Sequence, residues 1–190
     1  MDASRRKEAL KRLLKDPSEE VRKAASESLQ KIDSRLSLNR LMEDLSSTDK
    51  TLKIKAIFAL GRINDDRALE KLISMLREGD EDLKIASLTA LAEKSDPRSI
   101  KAVLECLKDS SSNVRLKAVE VLGNYRDRRI TPYIANMLKD TDKLVIKEAI
   151  RTLGKIGDPR AEAILIRFLE HKDPSIREIA AWSLGELDIE

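Results

Sequence analysis

Apolar residues return along the chain at two spacings, one nested in the other. At the short spacing they stand three to four apart, as in Leu69, Leu72, Ile73 and Leu76, or Ile130, Ile134, Met137 and Leu138, which puts them on one face of an α-helix. At the long spacing the pattern itself returns every 31 residues without an insertion. Val21, Leu52, Leu83, Val114, Val145 and Ile176 open one helix of each unit and serve as anchors. Four residues later comes a small side chain: Ala25, Ala56, Ser87, Ala118, Ala149, Ala180. Eight later comes leucine in all six units, from Leu29 to Leu184, and seven before the anchor comes a second leucine series, from Leu14 to Leu169.

Each unit therefore predicts two helices separated by a polar break, with boundaries at approximately 1–33, 34–67, 68–98, 99–129, 130–160 and 161–190. Asp16-Pro17 and Asp173-Pro174 set an acceptor before a second helix, and Asp96-Pro97 and Asp158-Pro159 do so before a first helix. Thr131-Pro132 reads as a cap inside the fifth unit that delays entry into its helix. One such pair cannot bury its apolar face alone, so the units must stack. Gly61, Gly123, Gly154 and Gly185, with Ala92 in the third unit, recur nine positions after the anchor, where helical Gly costs about 1 kcal/mol against Ala; close approach of neighbouring helices is the expected return. Gln30 breaks this series in the first unit. The expectation is an all-α, right-handed α-solenoid of six helix pairs, about twelve helices in one domain over 1–190, on the order of 50–60 Å long.

The strings Val114-Arg115-Leu116-Lys117-Ala118 and Leu153-Gly154-Lys155-Ile156-Gly157-Asp158-Pro159-Arg160-Ala161 resemble the short HEAT-like repeat of the phycobilisome-lyase type. The resemblance covers essentially the whole chain and is weakest in its first part, where Leu36 replaces the arginine found at Arg67, Arg98, Arg129 and Arg160. It implies the solenoid fold and a family of scaffolds, adaptors, lyases and a few enzymes.

Composition agrees with helices: 41% hydrophobic, 37% charged and 3% aromatic residues, with six Gly and five Pro in 190. The same Lys, Glu and Arg richness resembles a thermophile's proteome. A net charge of +3 from 37 basic and 34 acidic side chains gives no global excess to hold a polyanion. The one cysteine, Cys106, shares its register with Met75, Met137 and Phe168 and reads as core, which fits a reducing, cytoplasmic compartment. No apolar run approaches membrane-spanning length, and the first residues read as a charged amphipathic helix rather than a signal peptide.

Several chemistries are disfavoured on residues alone. The deoxyhypusine hydroxylases, an enzymatic branch of the resembling family, hold two irons with repeated His-Glu pairs, whereas His171 is the single histidine and reads as a turn residue. Cys106 has no catalytic His partner, the glycines are isolated within helices rather than clustered in a phosphate loop, and paired carboxylates such as Asp65-Asp66 fall in turns. The reading is non-enzymatic, with no cofactor and no metal.

Function is expected on the inner curve, lined by the second helix of each unit. At 100° per residue the anchor and positions four, seven, eight and eleven after it form the buried arc, leaving positions two, three, six and ten outward. There Ile54, Phe58, Ile85 and Leu116 form an apolar strip across units two to four, rimmed by Lys55, Arg62 and Lys117; Ala86 shares the outward set. Lys147, Arg151 and Lys155 form a basic stripe in unit five. Trp182, in the register of Phe58, either covers an open end or anchors a partner. Charge is uneven: residues 161–190 carry three basic and seven acidic side chains, while 99–160 carry thirteen and eight. The leading expectation is a monomeric module that binds another protein on the inner face, away from membranes. The alternatives are nucleic acid on the basic stripe and, from the resemblance alone, a lyase or chaperone for a tetrapyrrole-carrying protein.

Overall fold

The computed structural model describes residues 3–187. They form eleven α-helices and no strand. Helix α1 spans Ala3–Leu13, α2 Glu19–Asp44, α3 Lys50–Arg62, α4 Asp66–Glu78, α5 Glu81–Lys94, α6 Ile100–Glu105, α7 Ser112–Tyr125, α8 Thr131–Asn136, α9 Lys143–Ile156, α10 Glu162–Phe168 and α11 Pro174–Gly185. From α3 onward the second helices pack side by side in one row, α3–α5–α7–α9–α11, while the first helices touch one another more sparsely. This row is the one expected on the inner curve, and it is called the inner row.

The expected break between the first two units is absent. Helix α2 runs 26 residues through positions 33 and 34, which accounts for eleven helices rather than twelve. Units two to five stop their second helix with a local device. Ser95, Arg126 and Gly157 adopt left-handed backbone at one register position, and Asp65, Asp96, Asp127 and Asp158 then accept from the backbone N–H of an arginine two residues on. That arginine's guanidinium folds back on the same carboxylate, as Arg160 does on Asp158 at 2.6 Å. The first unit offers Asp33, Ser34 and Leu36 in these places, with no Gly, no Pro and no fork to hold the turn. Nothing outweighs continued helical hydrogen bonding, and the chain goes straight on.

The caps mostly follow the sequence signals, with two corrections. Ser18, not Asp16, caps α2 by accepting from Val21 N–H at 3.4 Å, while Asp16 accepts from Ser18 N–H. Thr131 is no cap: it is buried, and Asp127 caps the turn through Arg129 N–H, so α8 begins in register with α6 and α10 rather than late.

Glycines set the seams. A Cβ on Gly61 would lie 3.0 Å from Ala90 Cβ, and one on Gly154 would stand 2.7 Å from the carbonyl oxygen of Ser183 and 2.8 Å from its Cα. Gly185 meets nothing within 4 Å among the described residues, so close packing does not explain it. The seam also buries Ile57, Leu88, Val119 and Ile150, five positions after the anchor, a series outside the expected arc. One position after the anchor, Arg115 spans to the next unit's Asp140 at 2.7 and 2.8 Å while donating to the Asp109 and Ser110 carbonyls, and Lys84 reaches Asp109 at 2.6 Å.

Candidate functional site: the inner face

The five inner helices expose a narrow window. Counted round the helix from the anchor, positions six and ten fall at about 240° and 280°, while positions two and three fall at its edges, about 200° and 300°. Burial follows those angles. Phe58 is 37% exposed and Trp182 74% exposed, both at position six, and Arg62, Lys155 and Glu186 at position ten are exposed. Ile54, Ile85 and Leu116 at position two are half-buried and pack against the core, so the strip is a partly covered ridge leading from Phe58. Lys55 is exposed and Lys117 half-buried, whereas Ala86, expected outward, is buried.

The charged groups are organised by neighbours. Lys117 bonds Glu120 at 2.7 Å. Arg151 donates to Glu148, a half-buried carboxylate whose pKa is pushed up by burial even though Arg151 draws it down. Lys155 donates to Asn124 across the α7–α9 seam. Lys147 completes the stripe, and α11 answers it in the same three registers with Glu178, Trp182 and Glu186. These two stripes face the same way on adjacent helices whose backbones meet at Gly154 and Ser183.

Other candidate chemistry lies in packing. Cys106 is a free, buried thiol with its pKa pushed up to about 11 by burial. His171 stacks on Phe168 with ring centroids 6.0 Å apart, and its Nδ1 accepts from Asp173 N–H at 3.1 Å, the role that Asp109 and Asp140 play in earlier turns. No group of three or more His, Cys, Asp or Glu side chains among the described residues could hold a metal ion. No described helix is long and apolar enough to cross a membrane.

Sequence reasoning placed the outward row but missed the window's bipolar end. It gave Glu178 and Glu186 no role, although their 31-residue offset from Lys147 and Lys155 was available.

Comparison with known proteins bears on the architecture. Solved structures with the same fold include the CpcE–CpcF complex of phycocyanin lyase from Nostoc sp. PCC7120, at 22% identity and TM-score 0.66 over 83% of this chain and 65% of that one. Escherichia coli YibA follows at 20% identity and TM-score 0.63, over 96% of this chain and 72% of that one. A designed armadillo repeat protein in complex with the peptide (KR)4 matches at 17% identity and TM-score 0.56, over 95% and 98%. The chain thus spans about 65% of the length of the lyase chain it matches. Among curated proteins none matches significantly. The model of HEAT repeats matches residues 38–112, 69–142 and 131–189, and a single HEAT repeat matches 8–36. With the stacked pairs and their Asp–Arg turns, those matches make the chain a member of the HEAT repeat family.

Proposed function

We propose that this solenoid is a non-catalytic interaction module that binds another protein along its inner face, through Phe58 with Ile54, Lys55, Arg62, Ile85, Leu116 and Lys117 at one end and Lys147, Arg151, Lys155 and Trp182 at the other. The observation that carries the reading is the exposure of two large aromatic side chains, Phe58 and Trp182, in the one window the inner row leaves open, Phe58 between Lys55 and Arg62 and Trp182 beside the Lys147, Arg151 and Lys155 stripe of the neighbouring helix. Aromatic anchors with charged rims suit protein recognition. The neighbours support the same use of the fold, since one occurs as a two-protein complex and another holds a peptide. A cytoplasmic setting suits the free, buried Cys106.

Nucleic acid fits the Lys147–Arg151–Lys155 stripe less well, because Glu178 and Glu186 stand in the same registers on the next helix. A role with a tetrapyrrole-carrying protein has only the likeness to the lyase complex behind it.

The test is affinity purification with mass spectrometry, using wild type, Phe58→Asp and the double variant Lys147→Glu/Arg151→Glu. Partner capture is expected to be lost in each variant with helicity retained; capture unchanged in both would reject the inner face.

A further inference from the structure

We infer that the C-terminal end of the inner face binds an extended peptide segment of mixed charge: acidic residues first met by α7 and α9, an apolar side chain on Trp182, and basic residues beyond it. The inference rests on the inner-face reading and gives it a ligand class.

A groove of about 690 Å³ lies at the ends of three successive inner helices, lined by Arg126 just after α7, Arg151 and Lys155 from α9, Gly157 just after it, and Glu186 just after α11. Trp182 and Glu178 lie outside that lining, four and eight residues before Glu186 on the same helix row. Neighbouring helices lie about 8–10 Å apart, so crossing two seams takes about six extended residues at ~3.3 Å each.

Charge assigns the order. Three cations stand at the α7–α9 end, and two of them are already oriented, Arg151 by Glu148 and Lys155 by Asn124. At the α11 end Glu178 and Glu186 flank Trp182 at spacings of four, on one helix face. No ion pair joins the two stripes among the described residues, so both signs remain available to a ligand. A uniform polyanion would gain at one end and be repelled at the other, whereas a segment carrying both signs is complementary throughout.

Arg126 is the third cation. It adopts left-handed backbone, φ 49°, at the position where the next unit uses Gly157. Residues bearing a Cβ rarely take that conformation, and glycine is the repeat's own unstrained answer. Ser95 takes it too in the preceding unit, so the backbone alone marks no site; what Arg126 brings is a cation on the lining of the groove.

The protein's only tryptophan reports directly on occupancy. The probe is the synthetic peptide EDSLSKK, compared with EDSLSED, KKSLSKK and an oligothymidylate by Trp182 fluorescence titration. EDSLSKK is expected to shift the emission to shorter wavelength and to bind about tenfold more tightly than either single-sign peptide. Arg126→Gly, which relieves the backbone and is expected to fold at least as well as wild type, should weaken binding about tenfold. Trp182→Ala, followed by anisotropy of a labelled peptide, should weaken it by a similar factor. An unchanged emission with every peptide, equal affinity for all three, tightest binding to oligothymidylate, or full affinity in Arg126→Gly would each overturn the assignment. Phe58→Asp separates this from the broader reading: if EDSLSKK fails while Phe58→Asp still abolishes partner capture, only the mixed-charge segment falls.

Discussion

Between α7 and α9 the seam holds the side chains that the repeat prescribes: Val119 buried, Gly123 against Thr152, and Arg115 reaching across to Asp140. Between the first two units the same places hold Ser26, Gln30 and Ser47, no residue of α1 is buried, and α2 continues where a turn should intervene. Anchors and leucines persist in both regions, so apolar periodicity secures helices everywhere. A seam needs more. It requires a second apolar series on the flank of the helix, a small residue where backbones meet, and a paired charge at the turn. The central units carry all three and the first unit does not, and this places the inner row's beginning at α3.

The central seams are most vulnerable at Gly154. Its added Cβ would meet the backbone of Ser183 at 2.7–2.8 Å, which no rotamer change relieves. Gly154→Ala is expected to destabilise the protein by about 3 kcal/mol in urea unfolding, whereas Gln30→Ala, at the equivalent place in α2, should be near neutral.

Next in size is the ion pair of the α7–α9 seam, whose side chains are 14% and 6% exposed. Asp140→Asn leaves Arg115 its two carbonyl contacts but removes the carboxylate, for an expected loss of about 2 kcal/mol. The guanidinium of Arg115 holds the Asp140 carboxyl below its usual range. The folded state therefore binds fewer protons than the unfolded chain through that window. The contribution is complete above the unfolded value of about 4 and is lost as pH falls through the lower folded value. Thermal unfolding from neutral to acid should accordingly fall less steeply in Asp140→Asn than in wild type.

A turn installed in α2 should cost least. Asp33→Gly with Ser34→Asp and Leu36→Arg would give the first unit the turn that the others use, at a cost of about 1 kcal/mol for interrupting the helix and losing the Lys7–Asp33 bridge. Hydrogen exchange should show fast amides appearing near residues 33–36. Continued protection there would mean that the missing turn residues are not the cause of the long helix.

Much of this was legible in the sequence because it lies in local chemistry. Asp96, Asp158 and Asp173 announce their caps, and Gly61, Gly123 and Gly154 announce close approach. Two things were hidden for physical reasons. The buried series Ile57, Leu88, Val119 and Ile150 lies about 140° from the anchor, outside a single amphipathic stripe, because an inner helix packs against its own partner and against two neighbours. The continuation of α2 was hidden because Ser34 and Asp33 are acceptable cap residues; only comparison with the Asp–Arg forks shows what is lacking. At the candidate site, the outward row could be read from spacing, but the half-burial of Ile54, Ile85 and Leu116 depends on how closely adjacent helices approach.

The even stacking from α3 to α11 has a mechanical consequence. Phe58 and Trp182 ride on the first and last helices of that row, four like seams apart. A slight rotation repeated at every seam adds over the whole span, so the gap between the two aromatics is the dimension most sensitive to bending.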